Sequence, residues 1–331
     1  MKILYVDLYY DYGKKSRGPN IIGLHGFKKS FEKLGHEVVT FFYDDYLSNT
    51  TQLQKALMEK ANTCKPDLIF FILFRNQFKF KTLDYLKSKY ITFNWFGDDQ
   101  WRFDSFTKNY APHFTWCSTT DKFAIEKYHN IGQNNVILTQ WAAIDNHSIY
   151  NSSKNYDYDI SFVGGYHPYR KWFLSKLKKR GIVVNTFGNN WENGSLASAE
   201  MNKLFAKTKI NLNISNSTTL DTSISYLFSS PRAIPQTVVS GKIKSQIKAR
   251  NFEIPYFGGF QITDYVPTLE NYFDIGKEII CYSNVDEAAD LISYYLNNDA
   301  EREKIKNAGH HRAASEHGYI NRLKIILEHI K

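Results

Sequence analysis

Short apolar runs alternate with stretches of helical periodicity through most of this chain, and that alternation limits the fold more than any single residue does. Residues 2–7, KILYVD, form the first run. A polar, glycine-containing segment follows, and then Leu24, Phe27, Phe31 and Leu34 share one helical face. Gly35 stands where a helix would end, and residues 38–43 form the next run. Strand, loop, helix and strand in that order is a βαβ unit, which builds a parallel sheet with helices on its faces. The sequence predicts further strands over 67–74, 90–96, 114–118 and 136–139, with helices over 51–62, 80–89 and 122–131. Thr119-Thr120-Asp121 supplies capping residues for the last of these helices.

The rhythm stops at residues 145–157, DNHSIYNSSKNYD, which read as a linker. It resumes with strands over 158–163, 183–187, 210–214, 260–263 and 278–282. Helices are predicted over 170–179, 199–207 and 285–297, and from 244 onward. Two more helical stretches lie within 300–331, joined around Glu316-His317-Gly318. Residues 216–241, rich in Ser and Thr, break the pattern and read as a long irregular loop of the kind that carries function. The expected fold class is α/β, with Rossmann-like domains over 1–150 and 151–312.

Composition narrows the function classes. The formal net charge is +9 and the pI about 9.1, which suits an anionic partner: a nucleotide diphosphate, an anionic membrane surface or nucleic acid. No nucleic-acid-binding motif is present. The three cysteines, Cys64, Cys117 and Cys281, are far apart with no metal-type spacing, which points to a reducing compartment. The N-terminus lacks a signal-peptide pattern, and the longest apolar run is too short to span a bilayer, so a cytoplasmic location is expected, with peripheral membrane contact left open.

Three clusters carry candidate chemistry. Gly164-Gly165 follows a strand and opens toward a helix beginning near Arg170-Lys171; free amides, the helix dipole and two cations suit a phosphate, or else form a tight turn with solvated charges. Lys248, Arg250 and Glu253 precede Gly258-Gly259 and the apolar run from Phe260. Cations beside a glycine turn suit a phosphate and an acid suits a sugar hydroxyl, although Glu253 can instead pair with Arg250 on one helix and the glycine pair can instead serve helix–strand packing. Gly97-Asp98-Asp99 ends an apolar strand, where ligands of open α/β sheets bind. One of these acids is a candidate base for an acceptor hydroxyl, the other reading being a cap and a solvated charge; Trp101 and Phe103 beyond them are candidate sugar-stacking rings. His25 lies at the same edge, as a third catalytic candidate or a structural histidine. No cluster has metal-ligand spacing, so neither a metal nor another cofactor is expected.

The run Glu253-x-Pro255-x-x-Gly258-Gly259-Phe260, followed by Tyr272-Phe273-x-x-Gly276-Lys277-Glu278 and Arg302-x5-Ala308-Gly309, resembles the C-terminal half of group 1 glycosyltransferases of the spore-maturation type. The resemblance covers roughly residues 159–327. It implies the GT-B arrangement of two Rossmann-like domains facing a cleft, with a final helix, 313–331, returning to the first domain. It implies a nucleotide-diphosphate sugar as donor, held by the second domain, and a saccharide, lipid-linked or protein acceptor on the first. It implies transfer with retention, and places Gly164, Gly165, Arg170, Lys171, Lys248, Arg250, Glu253, Gly258, Gly259 and Phe260 around the donor, with Glu253 on the ribose. Ser245 stands where the family has a second glutamate eight residues earlier. A nucleotide-sugar epimerase and a non-catalytic nucleotide- or polyanion-binding protein are the alternatives.

Overall fold

A computed structural model describes residues 1–145, 155–215 and 245–330. The loop expected over 216–241 and most of the expected linker lie outside the described residues. The chain divides into two compact units, one made of Met1–Asn146 with Tyr319–Lys331, the other of His147–Gly318.

The first unit is built on six parallel strands: β1 (Lys2–Asp7), β2 (Glu37–Phe42), β3 (Leu68–Phe71), β4 (Ile91–Phe96), β5 (Trp116–Thr119) and β6 (Val136–Leu138). Their order is β2-β1-β3-β4-β5-β6. Strand side chains alternate between faces. Leu4 and Val6 enter a core with Leu53 and Leu57 of the Thr50–Cys64 helix, whereas Ile3 and Tyr5 enter one with Phe27 and Phe31. All four residues of β3 are buried, as befits a strand covered on both sides. The helix expected from Leu24 begins instead as a π-helix, Ile22–Lys28, before α-helical Lys29–Lys33. Small residues explain the widened turn: a Cβ on Gly26 would stand 2.9 Å from the Tyr319 ring. The final helix, Tyr319–Ile330, packs within this unit, with Tyr319 against Phe27 and the Tyr319 amide donating to the Ala143 carbonyl (3.1 Å).

The second unit holds β7 (Tyr158–Val163), β8 (Asn185–Phe187), β9 (Thr208–Asn213), β10 (Gln261–Asp264) and β11 (Ile280–Tyr282), all parallel, in the order β11-β10-β9-β7-β8. Ile160, Phe162, Leu212 and Ile262 form its core with Phe173 of the Pro168–Lys179 helix and Ile292 of the Val285–Asn297 helix. Phe205, Ile254 and Phe257 form a smaller cluster, which Val163 joins. Asn284 caps the 285–297 helix by accepting from the Asp286 and Glu287 amides (both 3.0 Å). Arg302, from the motif that carries the family resemblance, is buried and donates to the Tyr295 carbonyl (2.6 Å), so its work is structural.

Burial of the final helix in the first unit yields a paired test. Leu323 is fully buried, while Ile325 is 45% exposed. Leu323→Ala is expected to cost about 2–5 kcal/mol of unfolding free energy, and Ile325→Ala less than about 0.5. Denaturant unfolding of the two variants checks this; equal, small effects would show that the helix does not belong to the first unit's core.

Candidate active site

In an open parallel sheet, ligands bind beyond the carboxyl ends of the strands where the winding reverses. In the second sheet that point lies between β7 and β9. Arg170 spans it. Its Nε and Nη2 donate to the Ile214 carbonyl just past β9 (3.1 and 2.8 Å), and Nη1 to the Gly165 carbonyl just past β7 (2.8 Å). The Gly164-Gly165 turn is fixed from its other side by the Trp191 indole, which donates to the Gly164 carbonyl (2.8 Å). Gly188 crosses so closely that a Cβ there would stand 2.2 Å from the Gly164 oxygen, and its φ of +133° suits glycine alone. His167 caps the 168–179 helix, its Nδ1 accepting from the Tyr169 amide (3.2 Å). Burial and the neighbouring Arg170 lower its proton affinity, which favours neutral imidazole.

Asp264, at the end of β10, accepts from the Ser215 amide (3.0 Å) and hydroxyl, and its charge favours protonated Arg170 against the opposing effects of burial and Arg250. Arg250 reaches this group from the Ala249–Tyr256 helix and pairs with Glu253 one turn on (2.7 Å), its guanidinium over the Phe205 ring. The structure thus brings Gly164, Gly165, Arg170, Arg250 and Asp264 to one edge. Lys248 stands at the N-cap of the Arg250 helix, and Lys171 is exposed on the 168–179 helix.

Three donor assignments need correction. The Gly258 and Gly259 amides already donate to the Pro255 and Ile254 carbonyls (3.0 and 2.9 Å), ending the helix. Both glycines are buried, and a Cβ on Gly259 would meet the Asn211 side chain at 2.7 Å, so the pair serves packing. Phe260 is fully buried against Tyr295 and belongs to the core.

The first sheet reverses between β1 and β3, and a cavity of about 230 Å³ opens at that point. Asp7 and Leu8 follow β1, Ile72–Phe74 follow β3 and Gly97-Asp98 follow β4. Asp98 is therefore where its position at a strand end predicts. Asp99 is not: it is buried, accepting from the Thr107 hydroxyl (2.7 Å) and the Tyr128 hydroxyl (2.8 Å). Burial pushes its pKa up to about 6 against those bonds. It is a core acid that ties the 99–107 segment to Tyr128, and lies outside the cavity lining. Phe103 likewise packs on Tyr128 in the core, and neither His25 nor Trp101 lines the cavity.

The residue missed by sequence reading is Asp7. Its Oδ2 accepts from the Tyr5 hydroxyl (2.6 Å) and Asn20 Nδ2 (3.2 Å), and Oδ1 from the Leu8 amide (2.7 Å). Gly23 makes room: a Cβ there would stand 2.2 Å from Oδ2. Burial raises the Asp7 pKa to about 7, with Asp44 adding to the rise and the Tyr5 and Leu8 bonds opposing it. An acid ending an apolar strand was the available signal, for Asp7 as for Asp98.

Known proteins give this geometry a context. A family model described as "Glycosyl transferase-like" matches residues 170–328, most of the second unit and most of the final helix. A search of curated proteins finds no sequence match. Among solved structures, the chain is similar to sucrose-phosphate synthase from Thermosynechococcus elongatus (TM-score 0.64, 9% identity, covering 99% of this chain and 98% of that one). It is similar to Anabaena Alr3699/HepE in complex with UDP (0.55, 11%, 99% of each). It is also similar to a putative UDP-N-acetylglucosamine 2-epimerase from Listeria monocytogenes (0.52, 10%, 99% and 96%). The fold, two parallel sheets clad with helices, is that of the GT-B glycosyltransferases, and the family match over residues 170–328 supports a glycosyltransferase.

The Asp7 environment makes a signed prediction. The folded pKa lies above the unfolded value of about 4, so between these the folded state holds the extra proton, and stability falls as pH rises through that window. Asp7→Asn removes this contribution. Denaturant unfolding at about pH 5 and about pH 8 should show the wild type losing roughly 2–3 kcal/mol more than the variant. The same pH dependence in both proteins would overturn the assignment.

Proposed function

We propose that the protein transfers a glycosyl group from a nucleotide-diphosphate sugar to a hydroxyl acceptor. The observation that carries this reading is a coincidence of place: the glycosyl transferase-like match covers the unit whose switch point gathers Arg170, Arg250 and Asp264. UDP in the complex with the Anabaena neighbour supports a nucleotide as the donor's leaving group. In this reading the donor C1–oxygen bond to the diphosphate breaks, the acceptor oxygen bonds to C1, and the acceptor proton is released.

Arg170, Arg250, Lys171 and Lys248 supply the charge that the departing diphosphate needs, without a metal or other cofactor. Arg170 commits three of its five N–H donors to the Gly165 and Ile214 carbonyls, so it shapes the turn and has two donors left for a diphosphate. Glu253, held by Arg250, is the acceptor for ribose hydroxyls. The Glu253–Phe260 motif resembles that of the spore-maturation type, and retention of configuration is the outcome proposed on that resemblance. Asp98 then positions the acceptor. Free thiols at Cys64, Cys117 and Cys281 support a reducing, cytoplasmic setting, and among the described residues no helix is long and apolar enough to cross a membrane.

The likeness to a putative 2-epimerase gives the second reading its observation. Incubation with a UDP-sugar alone separates the two: an epimerase converts it to an isomer with no acceptor present, whereas a transferase releases UDP in proportion to a glycosylated product. The anomeric configuration of that product, read by NMR, tests retention.

Two further outcomes are expected. Glu253→Ala should weaken UDP by about 1.5–3 kcal/mol, and Arg170→Ala should weaken UDP more than uridine, measured calorimetrically. Equal losses for UDP and uridine would remove Arg170 from the diphosphate. Transfer should persist in a chelator; loss that manganese restores would show that a metal meets the charge instead.

A further inference from the structure

Parallel strands covered on both faces are built mostly of Val, Ile and Leu. In the second sheet, β9 and β10 depart from this. Two cross-strand pairs, Asn211 with Gln261 and Asn213 with Thr263, bury four polar side chains, each 3% exposed or less. Burying a hydroxyl or an amide costs free energy unless it is hydrogen-bonded, and a valine at 263 would fill the same space without that demand. Asn211 serves local packing, its Nδ2 donating to the Phe205 and Phe260 carbonyls (3.0 and 3.3 Å). Thr263 reaches further.

The Thr263 hydroxyl is fully used. Asn213 Nδ2 and Asn251 Nδ2 both donate to it (3.2 and 3.0 Å), and an amide nitrogen can only donate. Its own proton therefore goes the other way. The two acceptors in reach, a carboxylate oxygen at 3.2 Å and a carbonyl at 3.4 Å, both belong to Asp264. That carboxylate oxygen is the one that accepts from Ser215, and the Asp264 charge favours protonated Arg170. Asn251 carries the other end of the relay. Its Oδ1 accepts from the Lys248 amide (3.0 Å) and its carbonyl from Gln261 Nε2 (3.3 Å). The first turn of the Ala249–Tyr256 helix, with Arg250 in it, is thereby tied to β10. One hydroxyl stands between the helix that carries Arg250 and the acid that balances Arg170.

We propose that Thr263 is a positioning residue: it touches no ligand, and it holds the Arg250 helix and the Asp264 carboxylate in register so that Arg170 and Arg250 converge on one diphosphate. The inference rests on the nucleotide-sugar reading for the identity of that ligand. A hydroxyl kept for folding alone would change stability and leave the preference for diphosphate over nucleoside where it was.

The test removes the hydroxyl and keeps the shape. Thr263→Val is isosteric, and Thr263→Ser keeps the hydroxyl without the methyl. Asn251→Ala cuts the same relay at the helix, which covers a valine variant that folds poorly. Calorimetry on the full chain compares UDP, inorganic pyrophosphate and uridine, with denaturant unfolding of each variant alongside. Thr263→Val and Asn251→Ala are expected to weaken UDP and pyrophosphate about tenfold, the lower end of what one charge-assisted hydrogen bond contributes, and uridine less than about twofold. Thr263→Ser is expected to restore most of the UDP affinity. Equal losses for UDP and uridine, or valine and serine variants that bind UDP alike, overturn the proposal. Wild-type protein that binds neither UDP nor pyrophosphate overturns it together with the nucleotide reading. A UDP-sugar turnover assay otherwise keeps the two apart. Turnover in the wild type with undiminished diphosphate affinity in Thr263→Val sinks the relay alone. No turnover, with the valine and serine variants still differing in pyrophosphate affinity, sinks the transferase and upholds the relay.

Discussion

Parallel pairing is the constraint from which both candidate sites follow. When every strand of a sheet runs the same way, all the carboxyl ends gather on one edge. The helix connections must diverge where the winding reverses. Each sheet has one such point, β1/β3 in the first and β7/β9 in the second, and a polar cluster occupies each. In the first it is Asp7, held by Tyr5, Asn20 and the Leu8 amide; in the second it is Arg170, bridging two carbonyls. Neither group sits on a long loop. Both are fixed by the ends of buried strands, so their geometry follows from packing.

The two edges differ in the groups they present. Arg170 and Arg250 approach each other closely enough that Arg250 lowers the proton affinity of Arg170, and Asp264 offsets that repulsion. Glu253, paired with Arg250 (2.7 Å), matches the second cation with a second acid. At the other edge Asp7, Asp11 and Asp98 line the cavity with Arg102, and Asp11 is paired with Arg17 (2.6 Å).

Much of this architecture was legible from apolar periodicity. Strands of fully buried residues, such as Leu68–Phe71, leave an unmistakable run in the sequence, and the order of runs and helices gives the parallel sheets. The Arg170 region was legible because glycines, cations and a helix start coincide there. The π-helix was not, since Ile22–Lys28 depends on Tyr319, nearly 300 residues away, leaning over Gly26. The Gly258-Gly259 turn misled for a related reason. A glycine pair is demanded equally by a ligand and by a close neighbour, and only the placement of Asn211 tells which.

Asp98 and Asp99 show the limit most sharply. They are adjacent and identical, yet one borders the cavity and the other is buried with Thr107 and Tyr128. Consecutive residues at a strand-to-helix turn point to opposite sides, so one acid of such a pair turns inward and must find partners or a proton. Asp99 has two hydroxyl donors and still has a pKa raised to about 6. Asp7 has three donors and a pKa raised to about 7 by burial, with Asp44 adding to the rise. The difference between them is what surrounds the bonds. Asp99 is closed in by Tyr128 and its core, while Asp7 borders open space where a ligand hydroxyl can share its proton. Of the two buried acids, it is therefore Asp7 whose ionisation a molecule in the cavity would change.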